Sequence, residues 1–86
     1  MTYESPEYVQ HFLDMLRPME PFAVIFTKQD DSQRCIVGTL DPNRADVRKV
    51  TIPVMEESGQ WKSFSKERVL WIGYPDQFES INSGVV

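Results

Sequence analysis

Any chemistry in this chain has to come from a short list of side chains. They are His11, Cys35, the carboxylate pairs Asp30-Asp31 and Glu56-Glu57, and a scatter of lysines and arginines. His11 is the sole histidine. A general base or a metal ligand needs partner groups converging on one point, and no other residue stands at a recognisable spacing from it. With Glu7 and Met15 one turn away on either side, His11 reads as a surface or boundary residue of a helix. Cys35 is the sole cysteine, so it neither closes an intrachain disulfide nor builds a thiolate metal site alone. Between Arg34 and Ile36, in a strand-like stretch, it reads as a small buried or half-buried hydrophobe. Each acid pair lies in or beside a turn, where solvated carboxylates are usual. Carboxylate-pair hydrolysis would require them to meet across the fold. The glycines are isolated and form no phosphate-binding loop. The chain is therefore expected to be no enzyme, with no cofactor and no metal; a small hydrolase using the turn acids or His11 is the weakest reading.

The cations carry more. Arg34, Arg48, Lys49, Lys62, Lys66 and Arg68 are interleaved with Phe26, Trp61, Phe64 and Trp71. Cations beside aromatics are what single-stranded RNA or DNA binding uses, through phosphate contacts and base stacking. The competing reading is structural: large aromatics dominate small cores, and the charges form a solvated face. The candidate binding residues are Arg34, Lys49, Lys62, Arg68 and Trp61. A net charge of −4 disfavours non-specific nucleic-acid binding, which needs a cationic surface. The sign is unevenly spread, however. Glu4, Glu7, Asp14 and Glu20 crowd the first twenty residues beside Arg17 alone, and the other basic residues all follow from Lys28 onward. A locally basic face is compatible with the acidic total.

Positioning these groups falls to a helix and a run of strands. Ser5 is a good N-cap and Pro6 suits the first helical position. Val9, Phe12, Leu13 and Leu16 then repeat as one apolar face, with Arg17 in the last turn and Pro18 as the stop. The helix is expected over about residues 6–16, too short to stand alone and so docked on the rest. From Pro21 to Tyr74 come five short strand-like segments joined by tight turns, which suits a small closed or nearly closed barrel. In the first, Phe22, Val24 and Phe26 share one face and Ala23, Ile25 and Thr27 the other. In the second, Gly38 suits a bend where a barrel closes. Asp41 to Asp46 is a turn-rich connection. Val50, Ile52 and Val54 face together in the third, and Pro53 there points to an edge or an irregularity. Glu57-Ser58-Gly59-Gln60 reverses the chain into Trp61–Phe64. Ser65 caps a single helical turn through Arg68, and Val69–Ile72 form the last strand. The expected core is Phe12, Leu16, Val24, Phe26, Val37, Ile52, Val54 and Ile72.

At 86 residues the chain is expected to be one domain over 1–86, with a barrel at 21–74 and a tail at 75–86 that packs briefly around Phe78 and Ile81 and then frays. No apolar run approaches the ~20 residues of a membrane helix, so no membrane is implied. The start, MTYESPEYVQ, has neither the basic nor the apolar part of an export signal, which leaves the cytoplasm as the expected location.

Some of these segments resemble a known family. The stretch ending Phe26-Thr27-Lys28, a polar turn, then Arg34 and Gly38-Thr39-Leu40, followed by Trp61-Lys62-Ser63-Phe64, Val69 and Ile72, is similar to the second WYL family. The likeness covers about Phe22 to Ile72. It implies an Sm-like, SH3-type barrel in a small, phage-encoded protein. The family's Lys-x-Asp-Gly hairpin turn reads Lys28-Gln29-Asp30-Asp31 here, with aspartate in the glycine place; aspartate tolerates the left-handed conformation better than most residues. An arginine usual after the tryptophan is Lys62 here, which lacks the planar fork. The expectation is a mainly β module, an N-terminal helix plus a five-stranded SH3/Sm-like barrel. It would act without catalysis as a regulator or inhibitor, binding a host or phage protein in the host cytoplasm. The alternative is a single-stranded RNA binder using a basic barrel face, with self-association into a homo-oligomer open in both readings.

Overall fold

In the computed structural model, which describes residues 3–40 and 46–77, the helix starts where its cap dictates. The Ser5 hydroxyl accepts the Tyr8 N–H at 3.1 Å, satisfying one of the unpaired donors of the first turn. Helix α1 runs Pro6–Met15 and ends as the Leu16 N–H bonds the Leu13 carbonyl. Arg17 falls just beyond it, not in its last turn. Val9 and Leu13 are buried, with Phe12 and Leu16 packed partly against the same core.

Five strands follow: β1 Phe22–Thr27, β2 Gln33–Thr39, β3 Thr51–Glu56, β4 Trp61–Ser65 and, after a single 3-10 turn at Lys66–Arg68, β5 Val69–Gly73. All pairs are antiparallel, in one sheet of order β4-β3-β2-β1-β5. The class is mainly β with an N-terminal helix. The sheet is not closed into a barrel by hydrogen bonds, since β4 and β5 end it. The turns follow their chemistry. Asp31 takes the left-handed conformation, φ 66°, in the position read as a lost glycine, and Lys28 and Ser32 close the hairpin at 2.8 Å. Gly59 does the same at φ 86° between β3 and β4. Ser65 caps the 3-10 turn by accepting the Glu67 N–H.

The sheet bends at Gly38. β1 pairs with β2 along its whole length, but β2 meets β3 only at Gly38↔Glu56 and Thr39↔Met55. The sheet thus divides into a β5-β1-β2 half and a β3-β4 half. A Cβ at Gly38 would collide with the Met55 carbonyl, so the close approach at this corner requires glycine. Pro53 sits where β3 has already parted from β2, so its missing N–H leaves no β2 partner wanting. The two halves fold toward one another over a shared aromatic core. The Phe26 and Phe64 rings lie 6.1 Å apart, Phe22 and Phe64 6.5 Å, and Phe12 reaches Phe22 at 6.3 Å.

Of the expected core, Val24, Phe26, Ile52, Val54 and Ile72 are buried, and Phe12 and Leu16 partly so. Val37 is a correction. Ile36 lies opposite Val24 and Gly38 opposite Phe22, so the even-numbered residues of β2 face inward. Val37 stands half-buried on the outer face beside Ala23. Cys35 is a second correction: it is exposed, on the outer face opposite Ile25, because Ile36 takes the inner place. Val50, grouped by pattern with Ile52 and Val54, precedes β3 and is exposed. After β5 the chain is helical at 75–77. The expectations for the 41–45 connection and for Phe78 and Ile81 lie outside the described residues. No helix among the described residues is long and apolar enough to cross a membrane.

Candidate functional site: a basic cleft beside strand β4

Strand register decides which charges meet. Arg34 lies opposite Phe26 on the inner face of the β1–β2 hairpin. Lys62 lies opposite Val54, and so on the inner face of the β3–β4 half. When the halves curl together, these two cations come from different strands to line one cleft of about 180 Å³. Lys28 joins them, Phe26 and Ile36 form apolar wall, and Glu56 is the acid there. Along β4 the cleft continues into a wider space of about 490 Å³, between Phe26–Gln29 on one wall and Ser63–Ser65 on the other, with Arg68 at its end. Phe26 and Phe64 make the floor. They are only 6% and 2% exposed, so the floor closes the core without offering ring faces to a ligand.

The sequence candidates divide on this geometry. Arg34 and Lys62 share the narrower part of the cleft, and neither has an ion-pair partner among the described residues. Arg68 borders the wider part, but its guanidinium is engaged. It donates to the Lys28 carbonyl at 3.0 Å and stands 3.9 Å from Asp31, clasping the 3-10 turn to the β1–β2 hairpin. Lys49 lies in the turn before β3, its N–H on the Asp46 carbonyl, and lines neither part. Trp61 is 40% exposed at the start of β4, opposite Met55, on the face away from the cleft. Lys28, Ser63 and Ser65 also line the cleft and are not among the sequence candidates. Their signal is the alternation of β4, which becomes readable only once its edge position is known.

The other candidate groups lie apart from one another among the described residues. His11 is exposed and faces a shallow depression with Glu7, Asp14 and Lys66. Asp30 and Asp31 stay in the hairpin turn, away from Glu56 in β3. The Ser32 hydroxyl at 2.6 Å and the Ser32 N–H at 3.1 Å hold the Asp30 carboxyl below its ordinary value of 3.8. Desolvation raises the Cys35 thiol above its usual range, which disfavours the thiolate. Among the described residues no group of His, Cys, Asp and Glu is arranged to hold a metal ion.

Lys66 is the residue whose place the sequence hid. It reads as one more surface cation, yet it is buried, and its Nζ donates to the Gln10 side-chain carbonyl of α1. Desolvation lowers its pKa from 10.5, opposed by the charges of Asp14 and Asp46. Its function in the fold is to lock the helix onto the 3-10 turn. Comparison with known proteins finds no family model, no curated relative and no solved structure that matches this chain.

Proposed function

We propose that this chain is a small non-catalytic binding module of the SH3/Sm-like barrel kind. In this reading it acts by gripping a protein partner through the basic cleft beside β4. The observation that carries the reading is the pairing of Arg34 with Lys62 from two strands in one cleft, without ion-pair partners among the described residues, in a chain that is acidic overall. Cations concentrated in a concave site favour an anionic partner surface and raise encounter rates with it. The meander whose fifth strand returns to pair with β1, curled over Phe26 and Phe64, supports the barrel assignment. The phage-type regulatory or inhibitory setting rests on the resemblance to the second WYL family.

Single-stranded RNA is the second reading, favoured by the same cations. It is weakened by the aromatics. Base stacking needs an open ring face beside the phosphate track. Here the cleft's own rings are buried and exposed Trp61 points to the other side. The test is a pull-down from host lysate, with and without nuclease, using the wild type and an Arg34→Ala, Lys62→Ala double variant. Nuclease-resistant protein capture that is lost in the double variant is the expected result. Nuclease-sensitive capture, with a salt-dependent gel shift of single-stranded RNA, would replace this reading by the second.

A further inference from the structure

We propose that β4 is a docking strand. An extended acidic segment of the partner protein lies in the cleft, adds to the open edge of β4 through backbone hydrogen bonds, and sets its carboxylates on Arg34 and Lys62. The inference rests on the protein-binding reading above and specifies the form of the partner.

The edge comes first. Among the described strands β4 ladders only with β3, from Thr51↔Ser65 to Met55↔Trp61. Its other side faces the cleft, where Lys62–Ser65 form one wall and Phe26–Gln29 the opposite one without joining the ladder. Packing of Phe26 on Phe64 connects the two walls at the floor. An edge strand presents a row of backbone donors and acceptors, and strand addition is the general way a peptide uses it. The sheet's other end is different. There the Glu4 N–H already occupies the Val69 carbonyl at 2.8 Å and α1 packs alongside.

Charge then selects the occupant. A lysine on an edge strand repels a second copy of that same edge and accepts an acidic strand. Lys62 does this with Arg34 and Lys28 beside it and Glu56 as the opposing acid. Alternation adds a pattern. Lys62 and Phe64 share the inner face while Ser63 and Ser65 face out. A strand laid along them meets cations with one inward residue, and with the next, two positions along, lies over the floor that Phe26 and Phe64 close, where a carboxylate would find no cation. The fitting segment alternates acidic and apolar residues inward and small polar residues outward.

The probe is a fluorescein-labelled peptide capped at both ends, Thr-Glu-Thr-Val-Thr-Glu-Thr, whose inward pattern is the same in either direction. Its binding to the full chain is followed by fluorescence anisotropy. Two further peptides carry N-methyl groups on either the odd or the even residues, because an added strand turns alternate amides toward its neighbour. Saturable binding is expected. It should weaken about tenfold or more with methylation of one parity and change little with the other. It should also weaken about tenfold when Gln replaces Glu in the peptide, or in Arg34→Ala, Lys62→Ala protein shown by circular dichroism to be folded. Equal binding of both methylated peptides overturns strand addition. If the charge dependence persists in that case, the basic cleft remains the protein-binding site and only the docking mode fails. No binding by any probe overturns the acidic strand, and the nuclease-resistant pull-down then judges the broader reading separately. Binding of oligouridine in place of the peptides, lost in the double variant, overturns both in favour of single-stranded RNA.

Discussion

The two ends of the sheet face opposite fates. β5 is covered: Glu4 bonds its first carbonyl, α1 packs beside it, Tyr3 reaches past it to bond Thr27 at 2.9 Å, and buried Lys66 pins the helix in place. Among the described residues β4 pairs with no further strand, and cations line both walls of its cleft over a floor made of two buried phenylalanines. Charge follows the same division. Glu4, Glu7 and Asp14 accompany the covered end, whereas Lys28, Arg34 and Lys62 gather at the open one. A small sheet protects an edge either with other parts of its chain or with charge. This chain does both: its own segments cover β5, and cations line the cleft beside β4.

Breaking the floor should have the largest effect. Phe26→Ala removes a ring shared by the core and the cleft, and is expected to destabilise by about 3–5 kcal/mol in urea unfolding. A loss below about 1 kcal/mol would mean the two halves are not joined through Phe26. The bend comes next. Gly38→Ala forces a methyl against the Met55 carbonyl and is expected to cost about 1–3 kcal/mol. Unchanged stability would show that β2 and β3 approach less closely than described. The covered end can be loosened selectively. Tyr3→Phe deletes the hydrogen bond to Thr27 and should cost about 0.5–1.5 kcal/mol. Amide exchange should speed up in β5 and α1 but not in β4. Uniform acceleration would erase the contrast between the edges.

The smallest expected effects are on pH dependence, and both make stability rise with pH, one in the acid range and one in the alkaline range. The Asp30 and Asp46 carboxyls are held below 3.8, Asp30 chiefly by the Ser32 hydroxyl and Asp46 chiefly by the Arg48 N–H. Their contribution is complete above that ordinary value and is lost as pH falls through the lowered ones. Ser32→Ala should therefore flatten the acid limb of the stability profile slightly, and an unchanged limb would count against the Asp30 contact. Lys66 gives the same direction from the opposite cause, a charge that burial penalises. Its folded pKa lies below 10.5, so between the two values the unfolded chain binds more protons and stability rises with pH. Lys66→Met should remove that alkaline rise, and its persistence would place the cause elsewhere.

Much of the architecture was legible along the chain. Ser5-Pro6 followed by Val9, Phe12 and Leu13 marks the helix, since capping and a 3.6-residue apolar repeat are local properties. The strands and turns follow from alternation and from residues that tolerate positive φ, as Asp31 and Gly59 do. The cleft was half legible. Arg34 and Lys62 could be singled out as cations near aromatics, but twenty-eight positions separate them and only the curl of the sheet brings them together. The sequence by itself determined the elements and their order, because those depend on contacts within a few residues. Tertiary structure alone decided which face of β2 turns inward, so that Ile36 displaces Val37, because both faces of that strand are apolar enough to serve. It also decided that Lys66 is buried against Gln10 while Lys62 stays open, since burial depends on what packs across from a residue rather than on its neighbours in the chain.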